Sequence, residues 1–312
     1  MLSLVRCATR NGIFAERKMK GVMTNIGKYV FILMVMLIGY GAQAQSFGVR
    51  AGLNYSTFNG PTEAAESLGV AGGFHFGINY SYHMSDLFSL VFELGYTQNG
   101  TKQSYNGDSY YIVRGDAVTE FSEGRRDMNL SISNGYLMFP VIANYKLSDK
   151  VEVFGGAYAN ILVSPTGRGE LSFLQSAEVD SFFNHIQFKQ SLDYNYRRDE
   201  ALGQAQLSNQ RAIGVFIDGN EEYFPKVAGA YYQQNDKRAN LINSFDAGLI
   251  VGFNYFLNKG FYAGFRLEYG LIDITDERVD VSLESLDATN NLIYRDDRDT
   301  HLGVNVSVGF RF

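Results

Sequence analysis

The 312-residue sequence contains no tryptophan, four prolines and one cysteine, Cys7. That cysteine lies upstream of the processing signal described below. The mature chain is therefore expected to hold no disulfide, no thiolate nucleophile and no cysteine-built metal site. Its mature part also has no apolar run approaching the roughly 20 residues that a membrane-spanning helix needs. Positive charge is short as well, with 27 Lys and Arg against 33 Asp and Glu and a net charge of -6. An acidic chain is a poor nucleic-acid ligand. What the chain has in quantity is glycine (33), tyrosine (21) and phenylalanine (24), and aromatic residues favour strands.

The stretch "MKGVMTNIGKYVFILMVMLIGYGAQAQ" places Lys20 and Lys28 before an apolar core from Tyr29 to Tyr40, followed by Ala42-Gln43-Ala44. This is the pattern of a secretory signal peptide, and cleavage is expected after Ala44. The apolar core is too short for an anchoring helix. Residues 1–18 read as an upstream extension, with Met19 or Met23 as alternative starts. No cysteine follows the core to accept a lipid. Residues 1–44 carry six basic side chains against the single acid Glu16, so their removal takes the formal charge from -6 to -11.

Eight segments of the remaining chain alternate between apolar and small or polar residues, the period of a strand with two different faces. They are Phe47 to Tyr55, Val70 to Tyr82, Phe88 to Thr97, Tyr136 to Leu147, Val151 to Val163, Phe245 to Phe256, Phe261 to Leu271 and His301 to Phe312. Each is close to the 9 to 11 residues with which a tilted strand crosses a bilayer. The connections "HMSDL", "SDK" and "LNKG" are tight, whereas 56–69, 98–135, 164–244 and 272–301 are long, and the two kinds alternate strictly. This is the layout of an all-β, eight-stranded antiparallel up-and-down transmembrane β-barrel over residues 45–312. Its turns would be periplasmic, its long loops extracellular and both mature termini periplasmic.

The other face of the same strands gives an independent test. In a soluble sandwich the apolar face points inward; in a membrane barrel it points to lipid and the lumen is polar. The residues predicted to face the lumen include Arg50, Lys146, Arg266 and Arg311, balanced by Glu93, Glu152, Asp246 and Glu268, with His75 near Glu93. The lipid-facing set has no charge. Closing strand eight on strand one removes both sheet edges, which explains an alternation that runs to the end of the sequence.

"SFGVRAGLNYS", "NGYLMFPVIANYKLSDKVEVFGGAYANIL" and "GVNVSVGFRF" together resemble the PorT-like outer-membrane β-barrel family of Gram-negative Bacteroidota, in which an aromatic-Leu-x-x-Pro strand is typical. The resemblance spans the eight strands, about a third of the chain. It implies residence in the outer membrane, contact with outer-membrane lipid and delivery by the barrel-insertion machinery, for which Phe310 and Phe312 would form the C-terminal signal. The third long loop, 164–244, is larger than that fold requires.

No motif in the chain demands a catalytic site, metal or cofactor, and none is expected. The mature histidines are His75, His83, His185 and His301, scattered and without a serine-histidine-acid motif. The Arg114-Gly115-Asp116 tripeptide reads as the tip of a hairpin rising above the membrane. The acidic clusters at 218–222 and 273–280 lack the periodic oxygen spacing of a calcium loop. Loop 164–244 is too aromatic for a free linker, and is expected to be an ordered cap that binds a protein partner. Within it "SLDYNYRRDEALGQAQLSNQR" is expected to be a surface helix, and "AIGVFI" and "KVAGAYY" short strands. The function that follows is non-enzymatic, a surface or secretion-associated binding or structural role. The alternatives are a membrane-embedded hydrolase or acyltransferase, or a narrow solute channel.

Overall fold

The computed structural model describes residues 45–114, 119–175, 187–197, 202–204, 214–217, 220–232, 241–278 and 280–312. The expected signal peptide and its extension, Gly115 and Asp116 of the hairpin tip, and His185 lie outside them. The described chain is made of strands: β1 (Gln45–Asn59), β2 (Glu66–His83), β3 (Phe88–Arg114), β4 (Thr119–Lys146), β5 (Val151–Gln175), β6 (Gln187–Asn195), β7 (Leu202–Gln204), β8 (Gly214–Ile217), β9 (Asn220–Tyr223), β10 (Pro225–Ala228), β11 (Phe245–Phe256), β12 (Phe261–Gly270), β13 (Val281–Leu286), β14 (Leu292–Tyr294) and β15 (Thr300–Arg311).

Eight of these strands form a closed ring in the order β1-β2-β3-β4-β5-β11-β12-β15, with β15 returning to β1 and β11 joining β5. Closure pairs Gly48 with Arg311 and carries the ladder to Asn59 opposite Thr300. The amide of Phe312 reaches the carbonyl of Phe47 at 2.7 Å. The three tight connections close as short turns, from Met84 N to Phe88 O, Leu147 N to Val151 O and Leu257 N to Phe261 O. The Asn258 side chain accepts bonds from the amides of Gly260 and Phe261, fixing the last of them.

The ring is inside out relative to a soluble protein. Leu53, Ile78, Leu249, Val251, Val306 and Val308 stand on its outer face, each half or more exposed. Arg50, Asp246, Arg266 and Glu268 point in and are buried. A backbone ladder with no open edge and an oily exterior leaves no unpaired amide on that exterior.

Strands β3, β4 and β5 run for 27, 28 and 25 residues, more than twice what a bilayer crossing takes. They continue past the ring at the end that carries the long connections, and the outer face changes character on the way. On β4, Leu137, Phe139 and Val141 are exposed in the ring, but Asp127, Asn129 and Ser131 take the outward places beyond it. Inward at that level are Met128, Leu130 and Ile132, all buried. A register shift at Gly135/Tyr136 marks the change. A polar exterior over an apolar interior is what water requires, so the outer rim of the apolar belt falls near residue 98 on β3 and 136 on β4.

Strand β6 extends this projecting sheet. It pairs antiparallel with β5 from Thr166 opposite Asn195 to Leu174 opposite Gln187, and β10 then lies parallel to β6 and antiparallel to β7. Phe188, Gln190 and Leu192 turn inward at period two while their neighbours face out. The helix expected to begin at Ser191 is therefore corrected: residues 191–195 are strand, because alternate burial against β5 outweighs their polar composition. Of the short strands expected over 212–217 and 226–232, the first contains β8, with 212 and 213 outside the described residues, and the second overlaps β10 only as far as Ala228. Aromatics of the long insertion, Phe188, Tyr196, Phe224 and Tyr231, join Tyr111 and Phe173 in a second hydrophobic core above the ring. The final connection folds over it through the β13–β14 hairpin, where Tyr110 Oη donates to the Ser282 carbonyl at 2.7 Å.

Candidate functional site

Two places gather polar side chains out of reach of water. The first is the interior of the ring. Arg50 on β1 and Arg266 on β12 converge on Glu93 of β3. Arg50 Nε lies 3.3 Å from Glu93 Oε2, and Arg266 donates to both carboxylate oxygens at 3.0 and 3.1 Å. Arg266 also approaches Glu268 at 4.0 Å, and the second oxygen of Glu268 is 3.7 Å from His301 Nε2. The side chains of this chain of charges are at most 7% exposed. Nearer the tight-turn end Arg311 grips Glu152 with two bonds of 2.8 Å and stands 4.9 Å over the Phe256 ring. At the other end Asp246 accepts a bond from Asn160 at 3.1 Å.

Small residues make these placements possible. A methyl group at Gly252 would come within 2.6 Å of Phe154, the ring that lies 5.4 Å below the Arg266 guanidinium. The remaining space between Arg50, Glu93, Arg266 and Arg311 is about 20 Å³, close to what a single water occupies. The interior at this level is filled by side chains.

Arg50, Glu93, Asp246, Arg266, Glu268, Arg311 and Glu152 thus stand inside the ring, where alternation put them. Two expectations are corrected. Lys146 is not in the interior network: it is the last residue of β4, its side chain is 40% exposed, and it pairs with Asp149 of the adjoining turn at 2.8 Å. His75 is buried but its partner is Asn54, not Glu93. It sits opposite Thr97, while Glu93 sits opposite Asn79 four residues along. His301 was missed as a network member, although it shares its face with Gly303, Asn305 and Ser307 and so had the inward phase. Phe310 and Phe312 lie on the outer face, their ring centroids 5.1 Å apart.

The second place is a chamber of about 140 Å³ above the ring, walled by Met128, Leu130, Leu171 and Leu192 and reached by Arg126, Gln190, Glu66, Asp280 and Asp299. Its acidic side is strained electrostatically. Burial, aided by Asp297 and Asp299, pushes the Asp280 carboxyl up to about 8 from its ordinary 3.8, and Asp299 is raised to about 6. Between about pH 4 and 8 the folded segment holds more protons than the unfolded one. Its stability is therefore full at the acid end of that window and lost as pH rises through it. Amide exchange over 280–299, corrected for the intrinsic pH dependence, is expected to quicken between pH 5 and about pH 8.5 in the wild type and, in Asp280→Asn, to keep only the smaller part that Asp299 contributes at the acid end. Equal pH dependence in both proteins would contradict this assignment.

Among the described residues no group of three His, Cys, Asp or Glu side chains is placed to hold a metal ion. Among the described residues, the contact of His75 is with the Asn54 amide oxygen and that of His301 with the Glu268 carboxylate.

A sheet without edges, apolar outside and charged within, is the arrangement of a β-barrel that sits in lipid. The chain belongs to the outer membrane protein beta-barrel domain family, whose model matches residues 42–276, and the outer membrane is its location. No curated protein matches it. Solved structures similar to it include Ail, the attachment invasion locus protein of Yersinia pestis, at 10% identity with a TM-score of 0.33 over 86% of this chain and 99% of that one. Neisserial surface protein A is 12% identical, with a TM-score of 0.33 over 86% and 100%. OprG from Pseudomonas aeruginosa is 11% identical, with a TM-score of 0.30 over 86% and 96%. At that level these structures add nothing to the family assignment.

Proposed function

We propose that the protein is a plugged, non-enzymatic barrel whose work is done by the folded extension at its long-loop end, facing the outside of the cell. The observation that carries this reading is the pair of interiors. In the ring, ion pairs and aromatic rings fill the lumen, which leaves no solute path at that level. Beyond it, three strands project and acquire a hydrophobic core of their own, which a pore rim would not need. A core of that size holds a surface in a fixed shape, and fixed shape favours binding. The resemblance to PorT-like barrels favours a protein partner from a secretion system, met through the insertion 164–244.

Two measurements test it. Planar-bilayer recordings are expected to show no large stable conductance; a steady open channel would contradict the plug. A cysteine placed at Ser131, exposed on the projecting part of β4, should react with a membrane-impermeant maleimide on intact cells. One at Ser148, in a tight turn, should react only after the outer membrane is opened. The reverse pattern would place the folded extension in the periplasm and defeat the surface role.

A further inference from the structure

Arg126 is a feature of the chamber that the contacts of the described residues do not account for. It comes from β4 opposite Gly107, is 2% exposed and points among aromatic rings. Its Nη2 donates to the Tyr110 carbonyl at 2.6 Å, and its guanidinium stands 5.7 Å over the Tyr110 ring. That is its only hydrogen bond to a described residue. Its Nε is buried with no acceptor, and among the described residues no carboxylate comes within ion-pairing distance. The groups that chiefly act on its charge are tyrosines, Tyr110, Tyr194, Tyr111 and Tyr105. Of these Tyr105, Tyr110 and Tyr111 are pushed by burial above the ordinary phenol range and stay neutral. An arginine in a protein does not shed its proton. Among the described residues, then, Arg126 is a cation inside a folded core without a carboxylate partner, an arrangement that is costly unless something answers it.

The buried arginines of the ring are handled differently. Arg50 and Arg266 share Glu93, and Arg311 has Glu152. At Arg126 the answering group is missing from the described residues and a cavity stands in its place. The acids on the far wall do not supply it. Glu66 is already held by Arg295 at 3.4 Å and by Gln103 at 2.6 Å. Asp280 and Asp299 are driven toward their neutral forms by burial and then by the charge of Asp297, with Asp299 adding to the effect at Asp280. The lining also includes Met128, Leu130, Leu171 and Leu192, suited to a hydrocarbon body.

We propose that the chamber is a binding site for a small organic monocarboxylate with a short apolar body, its anionic group held by Arg126. The guanidinium offers Nε and its remaining donors to the carboxylate, the geometry in which arginine recognises such groups best. The volume limits the body to roughly the size of a benzene ring or a short aliphatic chain, since an apolar cavity of about 150 Å³ holds benzene. The proposal goes beyond the surface role and does not depend on it, because the chamber lies inside the fold whatever partner the outer surface meets.

The test uses the full mature barrel in phospholipid nanodiscs with sodium butyrate as probe, followed by saturation-transfer NMR or calorimetry. Butyramide serves as the neutral isostere and butylamine as the cation. Butyrate is expected to bind saturably and at least about tenfold tighter than butyramide, the difference one charge-assisted contact makes. Arg126→Met, which keeps the volume and drops the charge, should erase that preference, and Arg126→Lys should keep part of it. Leu130→Trp should abolish binding of both compounds by filling the chamber from its apolar side. Heat-shifted gel mobility reports whether each variant still forms the barrel. If Arg126→Met does not fold, the butyrate-to-butyramide ratio in the wild type and the Leu130→Trp result decide. Equal binding of butyrate and butyramide, tighter binding of butylamine, an unchanged preference in Arg126→Met, or no saturable binding to the wild type would each overturn the proposal. The labelling test at Ser131 and Ser148 can fail while the butyrate result stands, and the reverse, so the two readings are distinguishable.

Discussion

Replacing Glu93 by alanine is expected to cost the barrel about 3–5 kcal/mol, because two buried arginines lose their common partner together. Arg50 and Arg266 approach this carboxylate from different strands, β1 and β12, and each side chain is only 5% exposed. Arg266 would retain only the distant Glu268 at 4.0 Å. Urea unfolding from phospholipid vesicles measures the loss. Glu152→Ala is the internal comparison: its pair with Arg311 is 13–16% exposed, so the freed guanidinium reaches solvent and the loss should be smaller. Adding Arg266→Met to Glu93→Ala should recover part of the stability, since one of the two stranded charges is then gone. A Glu93→Ala loss no larger than that of Glu152→Ala would show that the interior is wetter than its packing indicates.

A charge on the outside of the ring should be nearly as damaging, and for the opposite reason. Val251 is 54% exposed on the outer face of β11, midway along a strand whose neighbours there are Leu249 and Phe253. If that face is solvated by lipid, Val251→Arg should cost about 2–4 kcal/mol near the bilayer midplane. Ser131→Arg, also outward but above the apolar belt, should fall within about 0.5 kcal/mol of the wild type. The same vesicle unfolding assay measures both. A water-soluble β protein would treat the two positions alike, both being surface, so equal small effects would remove the membrane reading.

The parts of this architecture that alternate against a single solvent were open to reading from residues alone. Phe245–Phe256 coincides with β11, and its inward Asp246 and outward Leu249, Val251 and Phe253 follow from period two. The projecting part of β4 was assigned to a loop because its alternation is inverted. In "DMNLSIS" the apolar residues Met128, Leu130 and Ile132 are the inward ones, and a search for apolar residues on the lipid side passes over it. With that stretch went Arg126, whose environment depends on β6 and on the last connection, both remote in sequence. Lys146 failed for a different reason. Parity gives the face on which a side chain starts, but a lysine at a strand end has enough length to leave it and meet a turn residue. His75 and Glu93 are on adjoining strands with the same inward phase, and only the register separates them.

The central claim is that one ring of strands has lipid on one face and packed charge on the other. Residues 45–312 contain no cysteine, so single cysteines can be placed along β11 without background and given a fluorophore. In vesicles containing nitroxide-labelled lipid, probes at positions 249, 251 and 253 should be strongly quenched and probes at 246, 250 and 254 weakly, a two-residue period in step with the outward and inward faces. Uniform quenching along the strand, or stronger quenching at 246, 250 and 254, would contradict the account.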